Sequence, residues 1–255
     1  APSRREAAVA IDRIDIPPAD SMIFINKHGR RVVNEKRNYN DRTRAHFAWD
    51  PMAVENPNRI LFMVFDQRAI DVFGGAYPIP ESADGSPYLL RGASWPELAA
   101  QIDARLQSLK HKIGNIPLAP DFLGNLRTTI ARFNEYATSG NDEEFQRGQD
   151  PHEADWRTFF SPMRRRAEDK AHRFPSSVLH PLASKGPYYA VLVAPGALDT
   201  CGGPMIDAAA RVLGADDKPI PGLFGAGNCI GSPTHGTYFG GGGTLAEYLE
   251  DQACA

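Results

Sequence analysis

The 255-residue sequence predicts an α+β fold in two parts, and three observations carry that expectation. Continuous apolar runs of strand length recur on both sides of the chain's middle. Two stretches of helical periodicity lie between them, each with its own start and stop signals. Beyond residue 185 glycine becomes frequent, strand signals are short, and a tetraglycine opens into a last helix. The parts are read as a mixed, helix-bearing region 1–185 and a β-rich region 186–255.

The elements follow in chain order. Met22 to Asn26, the turn Lys27-His28-Gly29-Arg30 and Arg31 to Asn34 read as strand, tight turn and second strand. Ile60 to Phe65 is apolar throughout, as suits a strand buried on both faces. Asp66 to Phe73 reads as a short helix stopped at Gly74-Gly75. Ser94, Pro96 and Glu97 form a helix start, with Leu98, Ile102, Leu106 and Leu109 on one stripe. A second helix spans Pro120 to Thr138, with Phe122, Leu126, Ile130 and Phe133 at helical spacing, and Ser139-Gly140-Asn141 ends it. Asp142 to Ser184 lacks periodicity and reads as irregular. Strand signals return at Tyr188–Val193, Pro204–Ile206, Arg211–Leu213 and Leu223-Phe224, with a turn at Asp216-Asp217-Lys218-Pro219.

Composition narrows the function. A net charge of -3 gives no electrostatic footprint for nucleic acid or an anionic membrane. The basic runs Arg164-Arg165-Arg166 and Lys36-Arg37 lie among acidic neighbours and read as solvated faces or salt-bridge clusters. No run approaches ~18 uninterrupted apolar residues, so no membrane span is expected. Ala1 to Glu6 carries no signal-peptide core, and a cytoplasmic location is expected. Cys201, Cys229 and Cys254 are too few and too scattered for a disulfide framework or a zinc site, and the first two read as small buried residues.

The chemistry is expected where glycine clusters. Leu223-Phe224-Gly225-Ala226-Gly227-Asn228 is a short apolar strand entering a glycine turn. Tyr238-Phe239-Gly240-Gly241-Gly242-Gly243-Thr244-Leu245 leads into the helix Ala246-Glu247-Tyr248-Leu249-Glu250. Bare backbone lets a flat or anionic ligand approach closely, and free amides at a helix start offer donors and partial positive charge. The plain alternative is a turn without a ligand, for which four consecutive glycines would be an unnecessary entropic cost.

Gly186-Pro187-Tyr188-Tyr189-Ala190-Val191, Thr200-Cys201-Gly202-Gly203 and Pro221 to Asn228 resemble the C-terminal section of flavoproteins related to fumarate reductase and 3-ketosteroid dehydrogenase. Phe24 to Glu35 resembles the start of their substrate-capping domain, and Arg132 to Tyr136 with Gly140, Asp142 and Phe145 a helix end within it. The resemblance implies a capping domain followed by the C-terminal β-rich part of a Rossmann-like FAD-binding domain. It implies FAD as cofactor. Gly227 and Asn228 would approach its ribityl or pyrophosphate part, and Gly242, Gly243, Thr244 and Leu245 the pyrimidine edge of the isoalloxazine. Many relatives carry an acidic residue where Asn228 stands, but an amide can also hydrogen-bond a ribityl hydroxyl. No Gly-x-Gly-x-x-Gly follows a strand near Ala1, so the N-terminal dinucleotide-binding half is expected elsewhere, in cis or in trans.

The same resemblance sorts the reactions. Fumarate reductases place cations where this chain has Leu198-Asp199 and Phe239, which could not clamp a dicarboxylate. The 3-ketosteroid 1-dehydrogenases resemble it at Thr237 to Gly242, and by that resemblance Tyr238 and the Gly242 amide polarise the substrate ketone. Tyr77 and Tyr88 are candidates for the proton acceptor, each also readable as structural, and His235 is a nearby donor or a plain loop histidine. The expected partner is an apolar ketone, steroid-like in the fullest form. A different class stays open: a small-molecule-binding or subunit-interaction piece without FAD.

Overall fold

A computed structural model describes residues 10–12, 17–154, 172–196, 200 and 202–231. It is mixed α/β and divides into two compact units, Ala1–Gly196 and Ala197–Ala255. The first unit's elements are β1 (Ala10–Asp12), β2 (Met22–Ile25), α1 (Tyr39–Thr43), β3 (Leu61–Asp66), α2 (Gln67–Phe73), β4 (Leu89–Gly92), α3 (Trp95–Ile113), α4 (Phe122–Ser139) and β5 (Tyr188–Pro195). The second contains β6 (Arg211–Leu213) and β7 (Pro219–Phe224).

β3 and β5 pair antiparallel at the centre of a five-stranded sheet, with Phe62 opposite Leu192 and Val64 opposite Ala190. β2 joins the outer edge of β3, placing Phe24 opposite Met63. The other edge of β5 is shared end to end by β4, antiparallel, and β1, parallel. Alternate side chains go to opposite faces. Ile23, Ile25, Phe62, Val64 and Leu192 meet α3 and α4, while Phe24, Leu61, Met63, Phe65 and Val191 meet α2 and the segment after it. A sheet covered on both faces needs apolar residues at consecutive positions, which explains the unbroken runs in β3 and β5.

The two long helices follow their signals. The Ser94 hydroxyl accepts the Glu97 N–H at 3.4 Å, and the Glu97 carboxylate accepts the Ala93 N–H at 3.0 Å. Leu98, Ile102, Leu106 and Leu109 are buried as a stripe, and α3 runs on to Ile113 before Gly114 stops it. α4 buries Phe122, Leu126, Ile130 and Phe133, and the left-handed Gly140 donates its N–H to Tyr136 O.

Two features differ from the sequence reading. Arg31 to Asn34 is not a second strand: only an Ile25–Arg31 bridge forms, because Arg31 and Asn34 turn inward to buried partners. Pro204 to Ile206 likewise reduces to one Ile206–Val212 bridge. The compact units divide after Gly196, with β5 in the first because it pairs with β3. Among the described residues, no helix is long and apolar enough to cross a membrane.

The turn after β2 is seated on α4. The Asn125 side chain donates to His28 O at 2.9 Å and Thr129 Oγ1 donates to Gly29 O at 2.9 Å. Gly29 has φ +72°, and a β-carbon there would sit 2.4 Å from Phe122 O. Left-handed strain and a main-chain clash act together, so Gly29→Ala should lower the unfolding free energy by about 2–4 kcal/mol. Urea denaturation with an unchanged slope checks this.

Candidate functional site

The glycine turn of the second unit is built by short-range constraints. β7 delivers the chain to Gly225, whose N–H donates to Ala210 O at 3.0 Å. Ala226 is extended, and Gly227–Cys229 forms a single 3-10 turn closed by Ile230 N–H on Gly227 O. Ile230 is buried and anchors the turn from below. Gly227 has φ +72°, and no described atom lies within 4 Å of where its β-carbon would be. Only glycine takes this conformation readily. The turn therefore carries no side chain at 227, with the half-buried Asn228 amide alongside. Cys229, expected to be buried, is exposed, and its thiol donates to Ala226 O at 3.3 Å.

Of the residues singled out from the sequence, Gly227 and Asn228 lie on this turn. Tyr238, Gly242, Gly243, Thr244 and Leu245 lie outside the described residues, as do His235 and Cys201. Tyr77 and Tyr88 pack half-buried against the α2 side of the first unit's core. Among the described residues, no group of three or more His, Cys, Asp or Glu is placed to hold a metal ion.

The first unit places its family-like residues in a buried ion network. Glu35 accepts Arg31 Nε at 2.8 Å, Arg31 Nη2 at 2.8 Å, Arg147 Nη1 at 3.1 Å and the Phe24 N–H at 3.1 Å. Arg31 also donates to Asp142 at 2.7 Å and lies over the rings of Phe133 and Phe145. Arg147 donates onward to the carbonyls of Ala19, Asp20 and Met22. Asn34 donates to Glu153 at 2.9 Å. The two segments that resemble the capping domain thus meet each other, and their polar residues are structural.

Burial by itself would raise the Glu35 carboxyl, but Arg31 and then Arg147 hold it down to about 2. Burial, followed by the charge of Arg147, pushes the Lys36 ammonium well below its usual value. The Lys36-Arg37 run reads in the sequence as a solvated face or salt-bridge cluster, but Lys36 is buried. Its Nζ instead donates to Pro17 O in the interior, a placement that charge spacing alone does not reveal.

A carboxylate whose pKa falls on folding stabilises the fold above its unfolded value near 4.5, and that contribution disappears as pH falls through about 2. Its size is about 3 kcal/mol. Glu35→Gln should cost about 3–5 kcal/mol at neutral pH, because the buried Arg147 guanidinium loses its carboxylate partner and Arg31 keeps only Asp142. The variant's stability should also vary less between pH 5 and pH 2, measurable by urea unfolding across that range.

Comparison with known proteins follows the same geometry. The model of the FAD binding domain matches residues 15–245. The chain is 36% identical over 232 residues to the 4-oxocyclohexanecarboxylate 2-dehydrogenase of Sinomonas cyclohexanicum, covering 89% of this chain and 34% of that protein. It is 32% identical over 237 residues to the 3-oxosteroid 1-dehydrogenase of Mycolicibacterium smegmatis, covering 88% and 35% respectively. The structure of 3-ketosteroid delta1-dehydrogenase from Sterolibacterium denitrificans superposes with a TM-score of 0.71 at 24% identity, over 95% of this chain and 39% of that one. That likeness speaks for the fold. The chain spans about a third of the length of the curated relatives it matches. With the match extending over nearly all of its residues, the chain belongs to the FAD binding domain family.

Proposed function

We propose that this chain forms the substrate-capping part and the C-terminal FAD-contacting part of a dehydrogenase that acts on the C–C bond next to a ketone. The observation that carries the reading is the Gly227 turn: left-handed, bare and open on the side where a β-carbon would stand. FAD fits such a turn, since its pyrophosphate and ribityl groups need close main-chain approach and a side-chain amide such as Asn228.

A second observation supports a companion half. β7 exposes Ile220 at 39%, Leu223 at 47% and Phe224 at 65%. β7 is interrupted by the left-handed Gly222, and its register to β6 shifts there. β7 pairs only with β6 among the described residues, and a two-stranded hairpin is marginal alone. Exposed apolar residues on such a pair suit an element that a further part of the protein covers. The N-terminal dinucleotide-binding half, in cis or in trans, would provide that cover.

FAD, when bound, supplies the hydride acceptor. Tyr238 and the Gly242 N–H donate hydrogen bonds to the substrate's carbonyl oxygen, where enolate charge builds as the neighbouring carbon loses its proton. By the resemblance, Gly242 to Leu245 would offer amides and partial positive charge to the flavin's pyrimidine edge. Tyr77 and Tyr88 are the candidates on this chain for accepting the proton, each also readable as structural.

The two relatives are named for cyclic ketones, one steroid and one a small oxo acid. A 3-oxosteroid-like apolar ketone is the main reading. The 36% relative favours a small cyclic oxo acid as the second. Turnover of the intact polypeptide on each compound separates them, while a preparation that stays colourless with added FAD favours the non-catalytic alternative. Tyr238→Phe should lower turnover ~100-fold and leave the flavin bound, as expected for loss of one oxyanion donor. Unchanged turnover would remove Tyr238 from the reaction.

A further inference from the structure

The Thr200-Cys201-Gly202-Gly203 motif has no assigned role in the reaction described above. Its glycines lie against the turn that carries Gly227 and Asn228. A β-carbon on Gly203 would sit 1.8 Å from Cys229 O, 2.5 Å from Cys229 C and 3.0 Å from Ile230 Cα. All three are main-chain atoms, so no rotamer change can relieve the overlap. On either side, Gly202 N–H donates to Asn228 O at 3.3 Å and Gly231 N–H donates to Pro204 O at 2.7 Å. Gly202 holds φ +129°, a conformation that L side chains rarely adopt.

From within the unit, the turn is held by Ile230, whose Cγ2 would lie 2.7 Å from a β-carbon on Gly225. Val212 and Ile206 crowd the same spot at 3.3 Å and 3.5 Å. The turn is thus gripped by bare backbone at 202–204 and by a buried side chain at 230. Gly227, between these anchors, keeps open space.

We propose that Gly203 is a positioning residue for FAD: its missing side chain lets the 202–204 segment seat the Gly227–Cys229 turn at the height from which Gly227 and Asn228 meet the cofactor. The inference rests on the reading that these two residues line FAD. Alanine at 203 must move the Cys229 peptide from 1.8 Å out to the ordinary contact range beyond 3.4 Å. A binding group displaced by more than about 0.5 Å loses its productive geometry. Loss of one hydrogen bond to the cofactor corresponds to about tenfold in affinity.

The test titrates FAD into the apo form of the intact polypeptide, following flavin fluorescence and the absorption bands of the bound flavin. Gly203→Ala should weaken FAD binding at least ~10-fold and shift the bound flavin's bands. Gly231→Ala is the control: its β-carbon meets the Met205 sulfur at 2.5 Å, the far end of a flexible side chain, and affinity should change less than about twofold. Gly227→Val tests the underlying reading by filling the open space directly. If Gly227→Val abolishes binding while Gly203→Ala binds as the parent does, the positioning role is wrong and the FAD reading stands. If neither variant changes binding, both are wrong. Should Gly203→Ala not accumulate as folded protein, Gly202→Ala strains the same segment without a clash. Binding weakened about threefold or more then supports the proposal, and unchanged binding overturns it.

Discussion

One buried carboxylate organises the first unit. Glu35 takes hydrogen bonds from two arginines and from the main chain of β2, all at sites closed to water. Through Arg31 it reaches Asp142 beyond the end of α4, and through Arg147 it reaches the carbonyls of Ala19 to Met22. The turn after β2, the loop after α4 and the segment leading into β2 are therefore fixed by a shared set of charges. Such a network adds little net stability over an apolar replacement, yet it is costly to break at one member. Its specific contribution is geometric: it admits one arrangement of three loops that hydrophobic contact alone would leave free to slide.

The second unit is held by a different kind of constraint. Its glycine turn depends on main chain meeting main chain, at Gly203 against Cys229 and Gly202 against Asn228. Among the described residues few side chains are buried there, and β7 leaves Ile220, Leu223 and Phe224 exposed. Such an arrangement has few buried apolar contacts among those residues. It suits a surface completed by something else, and a cofactor with a companion half is what the family match and the open turn together favour.

Legibility in the sequence followed how local each cause was. α3 and α4 could be read because caps, stripes and stopping glycines lie within a few residues of one another. β3 and β5 could be read because burial on both faces leaves unbroken apolar runs. β1 and β4, three and four residues long, owe their strand character to lying beside β5, which sequence spacing does not express. Arg31 to Asn34 was taken for a strand because the inward pull of distant Glu153 and Asp142 is invisible in its own pattern. The burial of Lys36 was hidden for the same reason. At the site, Gly227 announced itself as glycine, whereas Gly203 acquires meaning only from the Cys229 carbonyl that folding brings against it.

On the proposed function, the first unit supplies an α/β body whose buried charges are structural, and the second offers Gly227 as the place for FAD to approach. Amide hydrogen exchange across residues 225–231 of the intact polypeptide, with and without FAD, tests that assignment most directly. The account predicts exchange slowed by at least ~10-fold when FAD binds. Exchange left unchanged in a protein that has visibly taken up flavin would contradict it.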